Sequence, residues 1–101
     1  MNTLRRTDQF MDWYFQLKDV AIKSRIAVRL KQAAMGNFGD HKGVGEGVME
    51  MRIHTGSGIR IYYAQAGNTV YILLSGGDKS TQDMDIKKAQ KLWKKLRENE
   101  L

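Results

Sequence analysis

Along the first third of the chain the apolar residues follow a helical spacing. Phe10, Trp13, Tyr14 and Leu17 recur at i, i+3, i+4 and i+7, which predicts an amphipathic helix with Thr7 or Asp8 placed to cap its start. Asp19 offers a second cap ahead of Ile22, Ile26, Leu30 and Ala33, and Lys23, Arg25, Arg29 and Lys31 fall on the rest of that helix. Two consecutive helices are therefore expected over about residues 8–35. Gly36-Asn37-Phe38-Gly39-Asp40 ends them, His41 sits in the turn that follows, and Gly43-Val44-Gly45-Glu46-Gly47 is too glycine-rich for regular helix.

The period then changes from 3.6 to 2. Met49, Met51 and Ile53 alternate with Glu50, Arg52 and His54, which predicts a strand with one buried and one polar face. Ile59, Ile61 and Tyr63 alternate with Arg60 and Tyr62 in the same way, and Thr55-Gly56-Ser57-Gly58 joins the two strands as a hairpin. Thr69 to Ser75 is apolar on both faces and reads as a central strand. Ser80-Thr81-Gln82-Asp83 resembles a capping box ahead of Ile86, Ala89, Trp93 and Leu96, the stripe of a last, basic helix. The order predicts an α+β domain over 1–101: two N-terminal helices packed on a twisted antiparallel sheet, closed by a C-terminal helix. Thr3 to Arg6 is long enough to add a short strand to that sheet.

Composition narrows the partners. The 101 residues carry 17 Lys+Arg against 11 Asp+Glu, a net charge of +6, and the pI near 9.7 favours a polyanionic partner. The absence of cysteine excludes disulfides, thiolate metal sites and cysteine nucleophiles. No apolar run approaches the roughly 20 residues of a membrane span, and no secretory signal follows Met1. A soluble, cytoplasmic protein without a membrane partner is expected.

Burying the odd-numbered apolar residues of both hairpin strands puts Glu50, Arg52, His54, Arg60 and Tyr62 together on the other face. An odd-length loop or a glycine bulge must then close the turn. Two guanidiniums, an imidazole and a phenol on one surface suit gripping a phosphodiester, stacking a base and moving a proton. The plainer reading is a solvated sheet face. Neither His41 nor His54 belongs to a metal-spaced cluster, so no metal site is expected. Ser75-Gly76-Gly77-Asp78-Lys79-Ser80 opens the last helix, as an anion site or as a strand-to-helix turn; it lacks the spacing of a nucleotide-binding loop. Lys87, Lys88, Lys91, Lys94, Lys95 and Arg97 form a face that either faces solvent or holds an RNA backbone.

Several strings in order resemble one family. They are Arg6-Thr7-Asp8-Gln9-Phe10 with Trp13; Gly36-Asn37-Phe38-Gly39-Asp40 with Lys42; Val44-Gly45-Glu46-Gly47-Val48 through His54; Gly58-Ile59-Arg60-Ile61-Tyr62-Tyr63; and Leu74 through Gln82 with Asp85 and Ala89. Together they resemble the RelE/ParE superfamily of toxins from bacterial type II toxin–antitoxin modules, in its HigB-like, addiction-module-killer branch.

The resemblance implies a helices-on-sheet fold and a metal-independent, cofactor-free endoribonuclease. It would cleave mRNA, in many relatives on the translating ribosome, and be neutralised by a helix-turn-helix antitoxin. Arg52 and Arg60 would stabilise charge on the phosphoryl transition state, Lys79 would add a third cation, and His54 is the proton-transfer candidate. Lys42, Tyr62, Lys87 and Lys91 are the candidates for holding RNA. Thr81 to Ile86, where relatives often carry a tyrosine or histidine for acid–base work, has neither. Two other functions fit the same fold or charge: a ParE-like inhibitor of DNA gyrase, and a noncatalytic basic RNA-binding domain.

Overall fold

A computed structural model describes residues 1–99. The elements run β1 (Thr3–Arg6), α1 (Asp8–Gln16), α2 (Val20–Ala34), β2 (His41–Gly43), β3 (Val48–Ile53), β4 (Ile59–Gln65) and β5 (Val70–Gly77), then a 3-10 turn (Lys79–Thr81) and α3 (Gln82–Asn99). Side-chain caps start the first two helices. Thr7 Oγ1 accepts the amide of Phe10 at 3.1 Å, and its hydroxyl hydrogen is shared between the carbonyls of Leu73 and Leu74, both 2.9 Å away. Asp19 Oδ1 accepts from Ala21 and Ile22 at the start of α2.

The five strands form one sheet in the order β1-β5-β4-β3-β2. The β2–β3, β3–β4 and β4–β5 pairs are antiparallel, while β1 lies parallel to β5, which makes the sheet mixed. As expected, β5 is an interior strand and α+β architecture results. Pairing of Ile53 with Ile59 leaves 54–58 as the loop, an odd length that keeps odd residues opposite odd. His41 does not sit in a turn: with Lys42 and Gly43 it forms a short edge strand against Met49–Met51. Three exposed residues ending in glycine carry no alternation from which to read it.

α1 and α2 cover the odd face. Phe10, Ile26, Leu30 and Ala33 pack there against Met51, Ile53, Ile59, Ile61, Tyr63 and Leu73, each large apolar side chain contributing about 1.5–3 kcal/mol. The even face is not left to solvent, contrary to the half-buried reading. α3 lies over it, packing Ala89 and Trp93 on Val48, Tyr62, Ala64 and Leu74. A bulge makes this fit, because Tyr62 pairs with Ser75 but Tyr63 with Leu73, so the extra residue Leu74 joins the α3 cluster.

The entry to α3 differs from the expected box. Asp78 Oδ1 accepts the amide of Ser80 at 2.9 Å and caps the 3-10 turn. Ser80, expected to pair with Asp83, turns its hydroxyl back to Asp78 instead, and Thr81 Oγ1 donates to Asp85 at 2.6 Å, one turn along.

Candidate functional site

Register alone builds the centre of the site. Glu50 stands opposite Tyr62, and Arg52 opposite Arg60, so the four side chains form a square block on the face that α3 covers. Lys42 stands opposite Glu50 from the other side and extends this row to the β2 edge.

Glu50 is the hub of the block. It is fully buried, and its two oxygens gather partners from three elements. Oε1 accepts from Arg52 Nε at 3.1 Å; Oε2 accepts from Gln82 Nε2 at 2.9 Å and from the Tyr62 hydroxyl at 3.2 Å. Arg60 Nε lies 3.7 Å from Oε2, an ion pair rather than a hydrogen bond, while Arg60 Nη1 donates to the Gly58 carbonyl at 2.8 Å. Burial alone would raise the Glu50 carboxyl. Hydrogen bonds from Gln82, Arg52 and Tyr62 and the charge of Arg60 outweigh it, so the carboxyl lies below its ordinary value and Glu50 is ionised. The Tyr62 phenol is pushed far upward, by burial first and by the Glu50 carboxylate second, and stays protonated.

Lys79 flanks Arg60. A Cβ on Gly58 would lie 3.0 Å from Arg60 Nη1 and 3.5 Å from Lys79 Cβ, so both side chains close around the bare glycine backbone. The Lys79 amide also donates to the Ser57 carbonyl at 3.3 Å, tying the 3-10 turn to the hairpin loop. Arg52 and Arg60 thus lie side by side at the hairpin end of the sheet, with the base of the exposed Lys79 side chain against the same loop. The glycine pair before them serves packing on both faces: a Cβ on Gly76 would overlap the Trp13 ring of α1, and one on Gly77 the Asp85 carboxylate of α3.

One expectation is corrected, and a second residue sits in a different setting from the one its parity implies. Tyr62 is fully buried beneath α3 and donates to Glu50, so it has no free ring face for a base. His54 lies beyond the end of β3, and its ring pairs with Asp40, the residue before β2, whose carboxylate also feels the charge of Arg52. Its Nε2 meets Asp40 Oδ2 at 2.7 Å, and the ring borders a groove with Arg25, Val28, Arg29 and Gln32 of α2. Lys87 and Lys91 are exposed on the outer surface of α3, where with Lys88 and Lys94 they line a shallow groove. No cluster of three or more His, Cys, Asp or Glu side chains suited to a metal exists among the described residues. None of their helices is long and apolar enough to cross a membrane.

Periodicity puts Glu50 on the face of the two arginines but gives it no role there, and it says nothing of Gln82 or Asp85. Glu50 does leave a signal, as the lone acid alternating with Arg52 on a strand. Gln82 and Asp85 leave none in the periodicity, although both fall in the strings that carry the family resemblance, because only the path of α3 across the sheet brings them there.

Comparison with other proteins shows the family. The chain is 44% identical over 93 residues to an uncharacterized protein of Haemophilus influenzae, covering 92% of this chain and 94% of the relative. Residues 14–96, which span α2, the whole β2–β5 meander and most of α3, match the family described as phage derived protein Gp49-like (DUF891). The chain belongs to this Gp49-like family, which is RelE/HigB-like and associated with toxin–antitoxin modules.

Proposed function

We propose that this protein is the toxin of a type II toxin–antitoxin module, of the HigB-like branch, and that it acts as an endoribonuclease on mRNA. The observation that carries this reading is the alignment of Arg52 against Arg60, with the stem of Lys79 against the adjoining hairpin loop. Three cations at one surface match the charge of a phosphodiester passing through a crowded phosphorane. The 2′-oxygen attacks the adjacent phosphorus in line, the P–O5′ bond breaks, and the products end in a 2′,3′-cyclic phosphate and a 5′-hydroxyl. Arg52 and Arg60 bear the charge on the phosphoryl oxygens, and Lys79 stands beside the leaving 5′-oxygen. The 2′-hydroxyl proton passes to water, and water returns a proton to the 5′-oxygen. Tyr62 and Glu50 are buried and hold their protonation states, so neither exchanges protons with substrate.

Lys42 and the outer lysines of α3, Lys87 and Lys91, supply backbone contacts to RNA on and around the ribosome. A helix-turn-helix antitoxin neutralises the enzyme.

The test is a translation reaction supplied with purified protein and end-labelled mRNA. New 5′-hydroxyl and cyclic-phosphate ends are expected, and Arg52→Ala should lower their rate of appearance by roughly 10²–10³-fold, the cost of one preorganised donor. Intact mRNA under arrested translation would reject the reading.

A further inference from the structure

We propose that Glu50 is the positioning residue of the arginine pair: it seats both guanidiniums by their Nε edges, leaving Nη groups to face a phosphate. The inference rests on the reading of Arg52 and Arg60 as the phosphate-binding side chains and adds how they are held.

Directly opposed like charges on neighbouring strands repel, and Arg52 and Arg60 are such a pair. Left alone, two long cationic side chains would splay toward solvent. Glu50 supplies the opposing charge one step along the same face. Its contact with Arg52 is to Nε at 3.1 Å, and its approach to Arg60 is also to Nε, at 3.7 Å. Arg60 is additionally pinned by Gly58 through Nη1. Among the described residues no hydrogen bond occupies Arg52 Nη1, Arg52 Nη2 or Arg60 Nη2, so the edge suited to two phosphate oxygens is open on Arg52 and half-open on Arg60.

The charge of Glu50 is specific to this task. Tyr62 and Gln82, its other partners, are neutral, and a neutral acceptor would satisfy them. They also fix the carboxylate from two sides, so that it cannot swing out with the arginines. Arg60 Nε has no hydrogen-bond partner and is buried, so Glu50 is the opposing charge that faces that edge, while Gly58 holds the same guanidinium through Nη1.

Glu50→Gln preserves shape and removes the charge. NMR of the arginine Nε–H groups, titrated with inorganic phosphate, reads the seating without any need for RNA cleavage. In the wild type the Arg52 Nε–H signal is expected to be slowly exchanging, and phosphate should shift both arginines. In Glu50→Gln that protection should fall at least tenfold and the phosphate shifts should be lost, with the Trp13 and Trp93 indole signals unchanged. For RNA cleavage, kcat should fall at least tenfold with KM nearly unchanged, and the effect should vanish in an Arg52→Ala/Arg60→Ala background. Should Glu50→Gln not fold, Glu50→Asp keeps the charge, retracts it by one methylene and is read by the same signals. Retained protection and phosphate shifts in the variant, or an undiminished effect without the arginines, would overturn the proposal. A wild type that shows the arginine signals but cleaves no RNA would refute the nuclease reading and leave the seating established.

Discussion

Imidazole as a residue type titrates near neutrality, which makes His54 the first side chain to suspect of proton transfer, yet its partner is Asp40 at the β2 edge. His54→Ala should therefore leave the rate of RNA cleavage within about twofold, measured against arginine variants that lose roughly a hundredfold. A loss of comparable size would return His54 to the chemistry. Glu50 carries the opposite expectation. Its carboxyl lies below the ordinary 4.5 in the folded chain, so its contribution to stability is full above that value and lost as pH falls through the folded value. Denaturant unfolding between about pH 6 and pH 3 should show the wild-type advantage over Glu50→Gln shrinking toward acid. An advantage independent of pH would mean that the charge is not what Glu50 contributes. Alternation along the two hairpin strands suffices to place Glu50, Arg52, Arg60 and Tyr62 on one face. It carries no information on which of them a helix from the far end of the chain will bury, and so Tyr62 reads as accessible when it is sealed.

At the scale of elements, the turn between β5 and α3 shows how one string serves several neighbours. Gly76 and Gly77 read as turn residues or an anion cradle, but each is small because a different layer presses on it, Trp13 of α1 on one face and Asp85 of α3 on the other. Gly76→Ala forces a methyl against a rigid indole and should destabilise the fold by about 1–3 kcal/mol, read as a lower midpoint in thermal or urea unfolding. An unchanged midpoint would show that Trp13 can move aside at no cost. Helices α1, α2 and α3 and strands β3, β4 and β5 are all legible in the sequence, since each has a clear period or, in β5, a short continuous apolar run, bounded by a cap or turn. Strand β2 is not, and neither is the direction of β1, because parallel pairing depends on where the chain returns after the whole meander.

For the molecule as a whole, which carries a net charge of +6, two groups of cations stand out. Arg52, Arg60 and Lys79 gather at the hairpin end of the sheet, compensated in part by Glu50. Lys87, Lys88, Lys91 and Lys94 line the outside of α3. Phosphate contacts of the second kind add affinity without sequence preference. Lys87→Gln with Lys91→Gln should weaken RNA binding evenly across sequences and flatten the salt dependence of log K by roughly 0.7 per lysine, while cleavage of saturating RNA is unchanged; a salt slope equal to the wild type would place RNA elsewhere. The central claim is that the arginine and lysine cluster cuts RNA. It is tested most directly by mapping transcript 5′ ends in bacteria after induction of the wild type and of Arg60→Ala at equal folded levels. The account predicts growth arrest with new 5′ ends inside coding regions for the wild type and neither for the variant. Growth arrest without new ends, accompanied by DNA-damage signalling, would contradict it and point to gyrase instead.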